Sequence, residues 1–246
     1  MQDVSELRRR EVKTYFDVIA RGGSERLLRA RSFHNLGEWV PEDYERLSDT
    51  LIEAGATSSF SFLGRDAERY AGTIESLDAA GHEIVLHGHR HVACADVDYD
   101  LAHENLSRGL DAIEDAAGVT PRGFIAPRQE VNAATLRVVD ELDMSWVLGR
   151  TDAEVPSGID FREPCHPYDL ILLNEGAEPP AAFDRIREQT EPGAALLFHP
   201  NMLEYYDAFD GFEAWIGDTS PVSIGTLFEE GGVGMISDAM RPLRIE

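Results

Sequence analysis

The stretch Gly81-His82-Glu83-Ile84-Val85-Leu86-His87-Gly88-His89-Arg90-His91 decides how this chain is read. A turn glycine and a short apolar run make the pattern of a buried strand. Histidines at 87 and 91 follow just past the end of that run. Side chains four residues apart in a loop leaving a strand can converge, and imidazoles are nitrogen ligands that zinc and its neighbours favour. A zinc ion needs at least one more protein ligand, and a catalytic zinc keeps a position open for water. The third ligand has to come from elsewhere in the chain, delivered by the fold to the same strand ends.

Outward from this stretch, strand-like and helix-like segments alternate. Leu27 to Phe33 is predicted as a first strand. Pro41 to Ala54 is predicted as a helix with proline near its first turn and Gly55 as its stop. Ala56 to Leu63 alternates as a strand does, and a helix runs from there to about Ala80. After the strand Glu83 to Leu86, a long helix from Tyr99 to Ala117 carries Leu101, Leu106, Leu110 and Ile113 on or near one stripe. Arg122 to Ile125 and Met144 to Leu148 are strand-like, with a helix over Val131 to Leu142 between them. Leu170 to Leu173, Ala194 to Phe198 and a segment near Val233 to Ser237 are expected as strands. Helices are expected near Pro180 to Gln189 and Val222 to Glu229. The alternation predicts an α/β fold with a mainly parallel sheet, whose strands can close into a barrel with the chemistry at their C-terminal ends. His34-Asn35, His87 to His91, Ala126-Pro127-Arg128 and His199 each follow a proposed strand.

The chain has 246 residues, enough for one sizeable core, so a single domain over 1-246 with an N-terminal helix at about 1-22 is expected. Its net charge of -24 comes from 46 acidic against 22 basic residues, and Lys13 is the only lysine. A carboxylate-rich surface stays hydrated when salt screens ordinary repulsion, so the composition predicts a protein adapted to a high-salt cytoplasm. Nucleic acid is excluded as a partner, because so acidic a chain repels a phosphate backbone. No segment has the form of a signal peptide or a membrane span. Cys94 and Cys165 show no CxxC spacing and are expected as packing residues. No pattern sets an oligomeric state.

With these motifs on the page, the chain resembles the polysaccharide deacetylases, the NodB-homology carbohydrate esterases of family four, over about Arg29 to Ala239. Residues 81 to 91 resemble the pattern G-H-E-[IV]-x-x-H-[ST]-x-x-H. Ser32-Phe33-His34-Asn35 falls where that family has T-F-D-D, and Gly123-Phe124-Ile125-Ala126-Pro127 where it has G-F-R-x-P. Leu197-Phe198-His199 matches the closing L-x-H, and Gly234 to Ala239 resembles the final strand. The resemblance implies a distorted (β/α) barrel of seven or eight strands. It also implies a hydrolase of N-acetyl or O-acetyl groups on sugars that uses a divalent metal, zinc first, held by an Asp-His-His set.

Carried over by position, His87 and His91 are the metal ligands and His199 the general acid. The first and third motifs depart from the pattern. His34 stands in place of the base aspartate, Asn35 in place of the metal aspartate, and Ile125 in place of the arginine that orients the base. Asn35 offers a neutral amide oxygen to a metal. His34 serves either as the third ligand, giving a three-histidine site, or as the base, for which an unperturbed pKa near 6.5 is suited.

Arg128 and Pro127 are candidate substrate contacts, Arg128 for a carbonyl or carboxylate. Trp39, with Tyr205, Tyr206 and Trp215, is a candidate for stacking on a sugar ring, with core packing the competing reading for Trp215 and Trp146. Glu38 is the nearest carboxylate to the altered first motif. His89 is read as facing solvent or the barrel wall and His82 as a turn residue. His103 and His166 have weak claims. Acidic runs such as Asp96-Val97-Asp98 are read as solvated surface, since the spacing of a calcium loop is missing.

Two other readings stand beside the hydrolase. One is a non-catalytic deacetylase-fold module that binds a glycan or a protein. The other is a metal-independent hydrolase of cyclic amides, like allantoinase.

Overall fold

The structure is a computed structural model that describes Glu6, Leu7, Arg9, Arg10 and residues 41–174, 176–199, 203 and 206–237. In chain order the elements are α1 (Pro41–Glu53), β1 (Ser59–Phe62), α2 (Ala71–Ala79), β2 (Glu83–Leu86), α3 (Tyr99–Ala117), β3 (Gly123–Glu130), α4 (Ala133–Glu141), β4 (Trp146–Arg150), β5 (Asp160–Arg162), α5 (Asp169–Asn174), α6 (Pro179–Arg187), β6 (Ala195–Phe198), α7 (Phe209–Thr219), α8 (Ile224–Glu230) and β7 (Gly234–Ser237). The strands form one sheet in the order β5-β4-β3-β2-β1-β7-β6. The pairs β2–β3, β3–β4, β4–β5 and β6–β7 are parallel. The expected first strand at Leu27 to Phe33 and most of the N-terminal helix lie outside the described residues.

The chain divides into two compact units, with the boundary falling inside β1. The first holds Phe60–Ala79 and Glu83–Pro164. Its core is made by strands buried along their length, as helix-flanked parallel strands are, with β1, β2 and β4 contributing Phe60, Phe62, Val85, Leu86, Val147 and Leu148. Helix α3 begins where Asp98 accepts from the Leu101 amide and ends on Gly118 at φ 67°, a left-handed C-terminal residue that favours glycine. It buries Ala102, Asn105, Leu106, Gly109 and Ile113, spaced as one helical face requires. Trp146 lies across Gly123, where a Cβ would come within 2.1 Å of the indole. Its Nε1–H reaches Glu83 on β2 at 2.9 Å.

The second unit includes residues 41–59, 80–82 and 165–237. Phe198 on β6 packs against Phe183, Phe212 and Trp215, and Trp215 is fully buried. Trp215 and Trp146 are therefore core residues, which removes Trp215 from the candidate sugar contacts. The strand expected at Leu170 to Leu173 is instead the helix α5. Four apolar residues in a row satisfy either element, and length alone separates the two. Helix α7 was not expected. Gly211 and Gly217 dilute its pattern, while Phe212, Trp215 and Ile216 supply the buried face. The three-residue β5 depends on pairing with β4 and has no periodicity of its own.

His82 is the turn residue expected, and it is buried. The Ser58 N–H donates to its Nδ1 at 3.4 Å, so its proton sits on Nε2, which donates to Ser48 Oγ at 3.0 Å. Burial of this neutral ring pushes its pKa down to about 4. Between about pH 4 and the unfolded value near 6.5 the unfolded chain holds the extra proton, so stability falls as pH drops through that window, by about 3 kcal/mol at most. Urea midpoints at neutral pH and near pH 5 should therefore separate further in the wild type than in His82→Gln; equal pH dependence in the two would remove His82 as a cause.

Candidate functional site

In the first unit, β2 delivers His87 into a loop whose backbone is held from two sides. The His87 N–H donates to Phe62 O at 2.9 Å, Gly64 N–H to Gly88 O at 2.9 Å and Arg65 N–H to His89 O at 3.1 Å. From α3, Asn105 closes on the other side. Its Oδ1 accepts from the Arg90 N–H at 2.9 Å, its Nδ2 donates to Arg90 O at 3.1 Å, and its backbone carbonyl accepts from the His89 N–H at 2.8 Å. Glycines make the approach possible. A Cβ on Gly109 would stand 2.7 Å from Gly88 C and His89 N, and one on Gly64 would stand 2.5 Å from the Cα of Gly109. Gly88 occupies the position of the family's Ser or Thr at φ 83°, where a Cβ would lie 2.7 Å from Asn105 Nδ2.

His87 is 4% exposed, and its Nδ1 lies 2.8 Å from the Ile125 carbonyl. A carbonyl only accepts, so Nδ1 carries the proton and Nε2 the lone pair. This is the tautomer and support that metal-binding histidines use. The His91 ring stands edge-on at 5.0 Å between centroids. Two imidazoles on one tetrahedral zinc have ring centres roughly 5 Å apart, so the pair fits a shared ion. Among the described residues no group of three His, Cys, Asp or Glu completes a metal centre. His34 and Asn35, the expected contributors, lie outside the described residues, as do Glu38 and Trp39.

His89 is half-buried, and its Nδ1 has no hydrogen-bond partner among the described residues. Burial first, then the charges of Arg108, Arg90 and Arg65, push its pKa down to about 4, so it is neutral at physiological pH. Ile125 is buried in β3, and Pro127 is buried within the same strand. The strand runs on past the expected end at Ile125. Arg128 and Gln129 take left-handed φ values of 63° and 61°, and β3 uses five steps from Ile125 to Glu130 where β4 uses two from Leu148 to Arg150. Non-glycine residues reach this region at a cost and cluster at functional sites.

In the second unit His199 follows β6 and is buried against Asp169, the first residue of α5. Asp169 Oδ1 lies 2.9 Å from His199 Nδ1, and Oδ2 accepts from the His199 backbone N–H at 2.6 Å. The carboxylate therefore fixes the ring with Nδ1–H inward and Nε2 as the nitrogen left for chemistry. The Tyr168 ring lies tilted against the His199 ring, 5.6 Å between centroids. Sequence reasoning missed Asp169 and Asn105. The available signal for Asp169 was one acid opening an apolar run; for Asn105 it was a polar residue on the buried stripe of α3.

Residues 33–147 match the family profile described as polysaccharide deacetylase. A crystal structure from Mycobacterium smegmatis, assigned as a polysaccharide deacetylase, superposes with a TM-score of 0.59 at 25% identity over 72% of this chain and 70% of that one. BA3943 of Bacillus anthracis, described as a CE4 family pseudoenzyme, gives a TM-score of 0.56 at 19% identity over 83% of this chain and 64% of its own. A mutant of BA3943 is described as having restored enzymatic activity. The Bacillus subtilis protein YlxY is 22% identical over 66% of this chain, and the chain spans 45% of the length of that curated relative. These comparisons support the NodB-homology superfamily that the motifs pointed to, and the fold is its distorted (β/α) barrel of parallel strands with helices. No helix among the described residues is long and apolar enough to cross a membrane.

Asn105→Ala should speed amide exchange at Arg90, whose N–H loses its acceptor, while the His89 amide keeps its protection because it bonds the backbone carbonyl of residue 105; equal acceleration at both would mean that the helix itself moves. Asp169→Ala removes one partner of a buried pair and should lower unfolding stability by about 3–5 kcal/mol in urea titration, with Asp169→Asn losing less; an alanine variant within about 0.5 kcal/mol of wild type would show that the pair holds nothing in place.

Proposed function

We propose that the chain is a polysaccharide-deacetylase-like hydrolase that cleaves the acetyl C–N bond on a sugar or sugar-like metabolite, with a divalent metal at an altered site. The observation that carries this reading is the bond from His87 Nδ1 to the Ile125 carbonyl, which presents the opposite nitrogen as a lone pair beside His91. His87 and His91 hold the metal together with His34 or Asn35. When bound, zinc or a similar ion supplies Lewis-acid polarisation of the acetyl carbonyl and a more acidic water. His199 protonates the leaving amine from Nε2, and Asp169 orients it and stabilises its cationic form. His34 acts as the third ligand or as the base that takes the proton of water, and one imidazole does not do both.

A second reading has its own support. Both aspartates and the arginine of the family pattern are replaced, at His34, Asn35 and Ile125, so a non-catalytic glycan- or protein-binding descendant is the competing proposal.

Metal content by mass spectrometry should be near one zinc per chain in the wild type and lost in His87→Ala, with His34→Ala separating ligand from base: loss of metal assigns a ligand, and retained metal with lost turnover assigns a base. Acetate should be released from N-acetylated sugars with zinc, cobalt or manganese supplied. Sugar binding without acetate from any member of a broad panel would sink the hydrolase and select the binding module, whereas turnover surviving exhaustive chelation would select a metal-independent amide hydrolase.

A further inference from the structure

The carboxyl ends of three adjacent parallel strands in the first unit each carry an arginine. Arg128 lies on the distorted end of β3, Arg150 ends β4, and Arg162 ends β5. In parallel α/β folds ligands meet the protein at these ends. The pairing register places two of the three on one face. Ile125, Leu148 and Arg162 are in-register neighbours on β3, β4 and β5, so their side chains emerge on the same side of the sheet. Arg150 is two residues beyond Leu148 and shares that side by the strand's alternation. Strand spacing and rise set the Cα atoms of Arg150 and Arg162 about 8 Å apart, within reach of one oxyanion for two long side chains. Phe124 pairs with Leu86, which puts Ile125 beside His87, and His87 is bonded to the Ile125 carbonyl. The arginine ends therefore lie at the same end of the sheet as the proposed metal ligand.

The pairing of Arg128 and Arg150 differs from that of several arginines elsewhere on the chain. Arg108, Arg122, Arg137 and Arg187 are held in ion pairs. The side chains of Arg128 and Arg150 make no hydrogen bond or ion pair among the described residues, although both are half-buried. Glu130, the in-register partner of Arg150, forms no ion pair with it. The distorted end of β3 carries a further cost, because Gln129 is 5% exposed and its Oε1 is buried without a hydrogen-bond partner among the described residues.

We propose that Arg150 and Arg162, with Arg128, bind an oxyanion of the substrate, so that the natural substrate is an N-acylated sugar or metabolite bearing a carboxylate or phosphate. This rests on the hydrolase reading for the acyl group and on the arginine placement for the anion. Guanidinium forks match both oxyanions bidentately.

Calorimetric binding of three probes tests it: N-acetylglucosamine, N-acetylglucosamine 6-phosphate and N-acetylmuramic acid, which adds a carboxylate. At least one anionic probe should bind ten-fold or more tighter than the neutral sugar, and which one does so names the source of the oxyanion. Arg150→Gln and Arg162→Gln should each reduce that ratio several-fold, and Arg150→Lys, which keeps the charge, should retain part of it. Equal affinity for all three probes overturns the proposal, as does a ratio unchanged in both glutamine variants whose thermal unfolding shows them folded. Acetate release followed in parallel separates the two inferences. Release without anion preference removes the oxyanion site and keeps the hydrolase; anion preference without release does the reverse.

Discussion

Asn105 on α3 is the contact on which the presentation of His87 and His91 depends. A loop of five residues that must aim two imidazoles has backbone groups to satisfy, and an open bond at a buried amide costs about 1–3 kcal/mol. One asparagine side chain closes on both polar groups of Arg90, and its own carbonyl takes the neighbouring amide. That arrangement requires the helix at backbone contact, which Gly64, Gly88 and Gly109 permit. The amphipathic stripe of α3 fixes the helix's rotation, so Ala102, Leu106 and Ile113 set where Asn105 points. The positions of the histidines are thus a consequence of apolar burial one element away.

The two supported histidines differ in what supports them, and the difference separates their chemistry. His87 donates to a neutral carbonyl, which fixes a tautomer. Such a ring is a lone-pair donor. His199 donates to a buried carboxylate that also takes the backbone amide of the same residue. A carboxylate stabilises the imidazolium, so this ring can carry a proton to a leaving group and recover it. These acceptors agree with the proposed division of roles, ligand for His87 and acid for His199, independently of motif order.

Much of the fold was legible because it is built from long, punctuated elements. Helix α3 was expected with the bounds it has, since nineteen residues of clear period end on a glycine. Strands β2, β6 and β7 were legible as apolar runs between turn residues. Two of the failures have a common cause, which the missed helix α7 with its diluting glycines does not share. Helix α5 and strand β5 are too short to have a period, and their identity is settled by what they pack or pair with. Reading residues 170 to 173 as a strand also hid Asp169, which as the first residue of a helix is placed to meet His199. The candidate histidines were picked out by type and spacing. Their supporting groups were not, because Ile125 acts through a backbone carbonyl and Asn105 through a contact across the fold. The crowded end of β3 was equally hidden, since nothing in Pro127-Arg128-Gln129 announces consecutive left-handed residues.

The three departures from the deacetylase pattern are physically consistent with one another. An arginine at position 125 would be buried, because Ile125 is 1% exposed. In the usual pattern that cation is compensated by an aspartate of the first motif. With His34 and Asn35 in place of both aspartates, no carboxylate of that motif remains, and a buried arginine would be left uncompensated beside His87. Removing one partner of a buried pair costs about 3–5 kcal/mol, whereas replacing the whole set by neutral groups of similar volume is tolerated or favourable. Isoleucine at 125 is the residue such a neutral set demands. Its carbonyl, which any residue would supply, continues to hold His87. The loss of charge in the first and third motifs therefore leaves the second motif's support intact.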